Sequence, residues 1–147
     1  MGRIPVPYLA LAAVLGILAF LNLVWLRHQA ISTPIAVAIY LLVLVLAYFG
    51  GRSARRHALS PTWFGAAMGA LFGIIAGLGS LLIRETLRDI DVPGRRLLRL
   101  RLLAWANSPG GHLASVMTAM VTFALLSLIL ASIGGATLKD PQHPDTV

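Results

Sequence analysis

The sequence predicts an all-α fold: an integral membrane four-helix bundle with an interfacial amphipathic segment between its third and fourth spans. Three observations predict it. Apolar residues make up 58% of the 147 positions and charged residues only 12%, which is more apolar surface than a soluble unit of this size can hide. The apolar residues fall into four blocks, Tyr8 to Leu26, Ile35 to Phe49, Trp63 to Ile83 and Leu113 to Ile133, none of which holds Asp, Glu, Lys, Arg or His. A bilayer leaves only helices or closed barrels with a satisfied backbone, and these blocks are too long and unbroken for barrel strands. The predicted spans are 8–26, 33–50, 61–83 and 110–133, in one membrane domain covering 1–147.

The first block follows Arg3 in the manner of a signal peptide. Its length, the lack of an Ala-x-Ala end near "LRHQAIS" and the three later blocks predict a retained helix instead. Arg27 to Thr33 is then a turn short enough to force an antiparallel hairpin of the first two spans. The second block is the shortest, and needs Ile31 to Pro34 or local bilayer thinning to cross fully. Hydroxyl-Pro pairs at Thr33-Pro34, Ser60-Pro61 and Ser108-Pro109 predict the starts of spans two to four, with an N-cap oxygen followed by a proline whose missing N–H has no partner to lose. Gly50-Gly51 and Gly134-Gly135 predict the ends of the second and fourth spans. A polar tail, 136–147, follows.

Two basic stretches connect the spans. "GGRSARRHALSP" carries Arg52, Arg55 and Arg56. The third span is expected to continue as a helix through "RETLRDID", with Arg84 and Arg88 paired locally to Glu85 and Asp89, until Pro93-Gly94 breaks it. The segment 95–107 then puts Arg95, Arg96 and Arg99 on one side of a helix and Leu97, Leu98 and Trp105 on another. Arg101 falls within the apolar face. An interfacial helix with Trp105 at headgroup depth fits this pattern; the alternation Arg99, Leu100, Arg101, Leu102 also fits an extended strand.

The third span carries the most specific pattern. Gly65, Gly69, Gly73 and Gly77 recur every fourth residue, the spacing of a glycine zipper, and form a shallow groove widened by Ala66, Ala70, Ala76 and Ser80. In lipid, close backbone approach is a main source of helix affinity. The groove therefore takes another helix: a neighbour in the chain first, then a copy or partner subunit, with a solute path as the remaining choice. The fourth span offers a counterpart in Ser115, Ala119, Ser127, Ala131 and Gly135, interrupted by Phe123. Third and fourth spans packed through these faces is the working expectation.

The run "YFGGRSARR" followed by "TWFGAAMGALFG", Tyr48 to Gly77, resembles small four-span bacterial membrane proteins of uncharacterised families, in which a Gly-Gly helix end, a basic turn and a Gly-x-x-x-Gly helix recur. The resemblance implies a bundle and carries no catalytic residue over.

Chemistry is sparse. Cysteine is absent, which removes disulfides, thiolate metal sites and thiol nucleophiles, and Val6 occupies the position where myristoylation needs Ser or Thr. No ionisable residue lies inside the four blocks, the usual mark of an ion path or proton relay. Asn22 reads as an interfacial or interhelical hydrogen bonder. Ser115, Thr118 and Thr122 share a face that lines a polar path or bonds back to the preceding turn. Glu85, Asp89, Asp91 and His112 cluster at span ends without a ligand spacing, and no hydrolase elbow, zincin pair or phosphate loop occurs. The expectation is a protein that is not an enzyme and takes no metal or cofactor. The net charge of +7 sits beside the spans, so its partners are anionic lipid headgroups at Arg52, Arg55, Arg56, Arg95, Arg96, Arg99 and Trp105, not nucleic acid. A homo-oligomer or a partner membrane subunit is the protein partner expected, in a bacterial inner membrane. The loop charges, seven Lys or Arg against five, lean towards both termini outside.

Overall fold

The computed structural model describes residues 5–86, 90 and 96–138. These form five α-helices, α1 (Val6–Trp25), α2 (Ser32–Arg56), α3 (Pro61–Gly77), α4 (Arg96–Ala106) and α5 (Pro109–Ala136), with a 3-10 turn at Leu78–Leu82 prolonging α3. No strand occurs among the described residues. α1, α2, α5 and the α3 unit Pro61–Leu82 are long and apolar enough to cross a membrane, so the chain is all-α with the layout of a multi-pass membrane protein.

Two of the three hydroxyl-Pro starts hold. Ser60 and Ser108 are N-caps in extended conformation, their hydroxyls accepting from the Trp63 and Gly111 amides, and each is followed by Pro in the first turn. The third does not. α2 begins one residue before Thr33, capped by the αR residue Ile31 with no side-chain bond. Pro34 still falls in the first turn, where its absent N–H costs nothing.

The double glycines do not end their helices. α2 runs through Gly50 and Gly51 to Arg56, 25 residues in all, and α5 runs through Gly134 and Gly135 to Ala136. No glycine has a positive φ among the described residues; the one left-handed residue is Ala58, just past α2. Both glycine pairs are spent on close helix approach instead. α2 therefore needs no bilayer thinning to span.

The third span covers the expected length, Pro61–Leu82, but its helix does not run on beyond it as predicted. Beyond Gly77 the chain tightens to 3-10 geometry and turns extended at Ile83, so the described start of "RETLRDID", Arg84 to Thr86, does not continue the helix. The Ser80 hydroxyl donates to the Gly77 carbonyl, 2.8 Å away, a local bond that competes with helix continuation. The expected Arg88–Asp89 pairing lies outside the described residues. α4 forms as a helix over 96–106, which removes the extended alternative for that stretch.

The four long helices pack as a diamond. α2 and α3 touch across the short diagonal, and each also touches α1 and α5, while α1 and α5 do not meet. Two buried clusters lie along α3: Phe64 and Met68 with Ala12, Ala47 and Ala54, then Phe72 and Ala76 with Ala19, Ile39 and Val43. Phe72 is fully buried and sits edge-on to Phe123 of α5 at 4.6 Å and to Tyr40 of α2 at 6.1 Å. Outward faces are apolar, with Leu11, Leu18, Leu42, Leu125 and Ile129 exposed.

The aromatic knot joins three helices at one level, so its removal reads out the whole bundle. Phe72→Ala is expected to lower stability by about 3 kcal/mol or more, measured by reversible unfolding in mixed detergent micelles, whereas Phe49→Ala, on the exposed face, should change it by under about 1 kcal/mol.

Candidate functional site

The glycine stripe of α3 lies against the backbone of α5, which runs antiparallel to it. A Cβ added at Gly65 would lie 2.5 Å from the Ala131 Cβ; at Gly69 it would collide with the Phe123 carbonyl oxygen; at Gly73 it would lie 2.6 Å from the Ala119 oxygen; and at Gly77, 3.0 Å from the Val116 Cα. Real Cβ atoms do not approach as closely as at the first three, so Gly65, Gly69 and Gly73 are needed for the helix spacing observed, while at Gly77 the contact would be tight and Val116 would have to give slightly. Among the residues expected to form the facing surface, Ala119, Ser127 and Ala131 all take part, Ser127 and Ala131 fully buried. Phe123 does not break the register: its backbone faces Gly69 while its ring turns aside into the knot with Tyr40 and Phe72. Ser115 is exposed and its hydroxyl donates back to the Gly111 carbonyl, so it lies off the seam.

A second close approach joins α2 to α5 near the basic end of the bundle. A Cβ at Gly51 would strike the Ala131 backbone, and one at Gly134 the Tyr48 carbonyl. Gly135 faces the Pro61 ring, and a Gly135 Cβ would come within 2.5 Å of it. Two polar pairs flank this crossing, Thr62 with Ser132 at 3.0 Å and Tyr48 with Thr137 at 3.2 Å. Sequence reasoning read Gly51 and Gly134 only as helix ends and so missed them as packing positions, whereas Gly135 was also read as part of the small face of the fourth span, though against α3's glycine stripe and not the Pro61 ring. The available signal was the small-x-x-x-small spacing of Ala47 with Gly51 and of Ala131 with Gly135.

At the opposite end, Glu85 pairs with Arg27 across 58 residues of chain, not with its neighbours as the charge pattern predicts. The extended backbone after Ile83 turns Glu85 towards the α1–α2 turn. Asn107 fixes it there: its side-chain oxygen accepts from the Glu85 amide at 2.8 Å, and its amide donates to the Glu85 and Leu103 carbonyls at 3.0 Å each. Asn22 donates to the Ser32 carbonyl at 3.1 Å, tying the α1–α2 hairpin, as an interhelical bonder. Thus Glu85, expected as one of four clustered titratable groups, serves a clamp; Asp89 and Asp91 lie outside the described residues. No group of three or more His, Cys, Asp or Glu side chains gathers among the described residues.

The expected headgroup residues occupy both ends. Arg52 is half-buried and Arg55 and Arg56 are exposed at the end of α2. Arg96 is exposed and Arg99 half-buried on α4, Trp105 is 57% exposed, and Arg95 lies outside the described residues. α4 has no buried residue and packs only against α5 among the helices, leaving Leu97 and Leu98 exposed beside Trp105. Thr118 and Thr122 are exposed on the outer face of α5. Comparison with protein-family models, curated proteins and solved structures finds no match to the chain.

Cysteines at Thr62→Cys and Ser132→Cys in this cysteine-free chain should oxidise to a disulfide within one chain, seen as a shift in gel mobility without a dimer band. Adding Gly69→Leu or Gly73→Leu should cut that yield severalfold and lower stability by about 2 kcal/mol or more, since the intruding side chain forces the helices apart. Glu85→Gln should destabilise the bundle by about 1 kcal/mol, and a double-mutant cycle with Arg27→Gln should return a coupling of similar size.

Proposed function

We propose that the chain is a non-catalytic integral protein of a bacterial inner membrane, a structural, regulatory or accessory component that acts through helix packing and contact with anionic lipid. The observation that carries this reading is that the smooth stripe of α3, the surface best shaped to grip another helix, is already occupied by α5 of the same chain. What remains outward is apolar side chain suited to acyl tails, with arginines at the ends suited to headgroups. Exposed Leu97, Leu98 and Trp105 on α4 support the reading of an interfacial helix. No Asp, Glu, Lys, Arg or His side chain lies within the apolar lengths of the spans, which favours a scaffold over a proton-coupled carrier.

A second reading, a homo-oligomeric channel or transporter for a small solute, draws on one observation: Ser115, Thr118 and Thr122 point outward on α5, so a polar path lined by them would run between copies.

Native mass measured on protein extracted in its own lipids separates the two. The first reading expects a single chain, alone or with a partner of different sequence, and liposomes holding it should leak small solutes no faster than empty ones. A closed ring of copies with solute flux that Thr118→Val and Thr122→Val abolish would replace it with the second. Single cysteines at Ser53 and Thr137 should label from one side of the membrane and one at His28 from the other.

A further inference from the structure

Tyr8, Phe49, Arg52, Ser53 and Arg56 line a pocket of about 250 Å³ between the start of α1 and the end of α2. The four α2 residues share one stripe of the helix, since positions 49, 52, 53 and 56 are three, four and seven apart. Phe49 lies on the bilayer side of the two arginines and its ring is exposed, so the wall grades from apolar to cationic over two helical turns. Ser53 and Tyr8 add two hydroxyls. Neither Arg52 nor Arg56 pairs with a carboxylate among the described residues, where the ion pair found is Arg27 with Glu85 at the other end of the molecule. The first turn of α1 has no side-chain cap, and the positive end of its dipole points to the same side as the arginines.

We propose that this pocket is a specific binding site for the phosphate of an anionic phospholipid, with one acyl chain of that lipid lying along Phe49. The proposal rests on the reading of the chain as a membrane-embedded bundle and goes beyond it by naming a single, saturable site. Two guanidinium groups with two hydroxyls make a donor set for phosphate oxygens, which charge-assisted bonds favour over neutral headgroups. A volume of about 250 Å³ exceeds the ~30 Å³ share of one water severalfold, enough for a phosphodiester with part of its glycerol. The apolar wall below selects a lipid over a free anion. On α4, Arg96 and Arg101 lie exposed on a helix with no buried residue, and give the diffuse attraction expected of a surface.

The test is native mass spectrometry of the full chain, delipidated in detergent and titrated with phosphatidylglycerol, phosphatidylcholine or inorganic phosphate. Wild type is expected to bind one phosphatidylglycerol at least about tenfold more tightly than phosphatidylcholine. Arg52→Gln with Arg56→Gln should lose that preference, Arg96→Gln with Arg101→Gln, which removes the same charge, should keep it, and Phe49→Ala should weaken the lipid about threefold or more. Equal loss in both double variants, or an unchanged preference in the first, overturns the site in favour of diffuse attraction. Inorganic phosphate binding as tightly as the lipid overturns the lipid as occupant. The Thr62→Cys, Ser132→Cys disulfide, formed in each variant background, shows that the bundle is intact. Failure of the bundle reading shows separately, as wild-type protein released from membranes by alkaline carbonate.

Discussion

The bundle depends on the absence of Cβ atoms along one side of α3. Water drives no association between apolar helices in lipid, so contact has to come from dispersion over surfaces that fit. Four glycines at fourfold spacing let the α5 backbone settle onto α3, and Gly51 with Gly134 let α2 do the same from the other flank of α5. Once the backbones are that close, larger side chains have defined places: Phe123 turns out of the seam and meets Phe72 and Tyr40, and Met68 and Val43 are fully enclosed. The small residues set the distances and the large ones fill what those distances leave.

Much of the fold was legible because the membrane allows few solutions. Block length gave four spans, and backbone saturation made them helices. Ser60 and Ser108 were readable as caps because an N-cap oxygen acts within three residues of itself. The harder features were those decided at a distance. Gly50-Gly51 and Gly134-Gly135 carry a signal that serves helix ends and close crossings equally well, and only the position of a second helix decides between them. Glu85 is similar: neighbouring arginines suggest local pairs, but the extended backbone after the 3-10 turn carries it to Arg27, which no local rule could indicate. The stripe's own partner was inferable from the matching spacing of Ala119, Ser127 and Ala131, although Phe123 looked like an interruption until its ring and its backbone could be seen to face different neighbours.

The two ends of the molecule solve different problems. At one, an ion pair and an asparagine clamp hold the turn of the α1–α2 hairpin to the segment leaving α3, so the chain's longest connection begins from a fixed point. At the other, Arg52 and Arg56 stand at the end of α2 with no carboxylate partner among the described residues, and their charge is left to the surroundings. One end fixes a long connection with a part-buried clamp; the other offers two arginines to what lies around it.

The diamond arrangement, in which α1 and α5 never touch, also sets an order of assembly. α1, α2 and α3 form a mutually contacting trio as soon as the third span enters the bilayer, but α5 starts only at Pro109, some thirty residues after the stripe ends. At a synthesis rate of about 5–20 residues per second, the groove on α3 stays uncovered for seconds while the connection and then α5 are made. A nascent chain at that stage displays an adhesive face that the finished protein conceals, and a chain ending before Pro109 would leave it uncovered permanently.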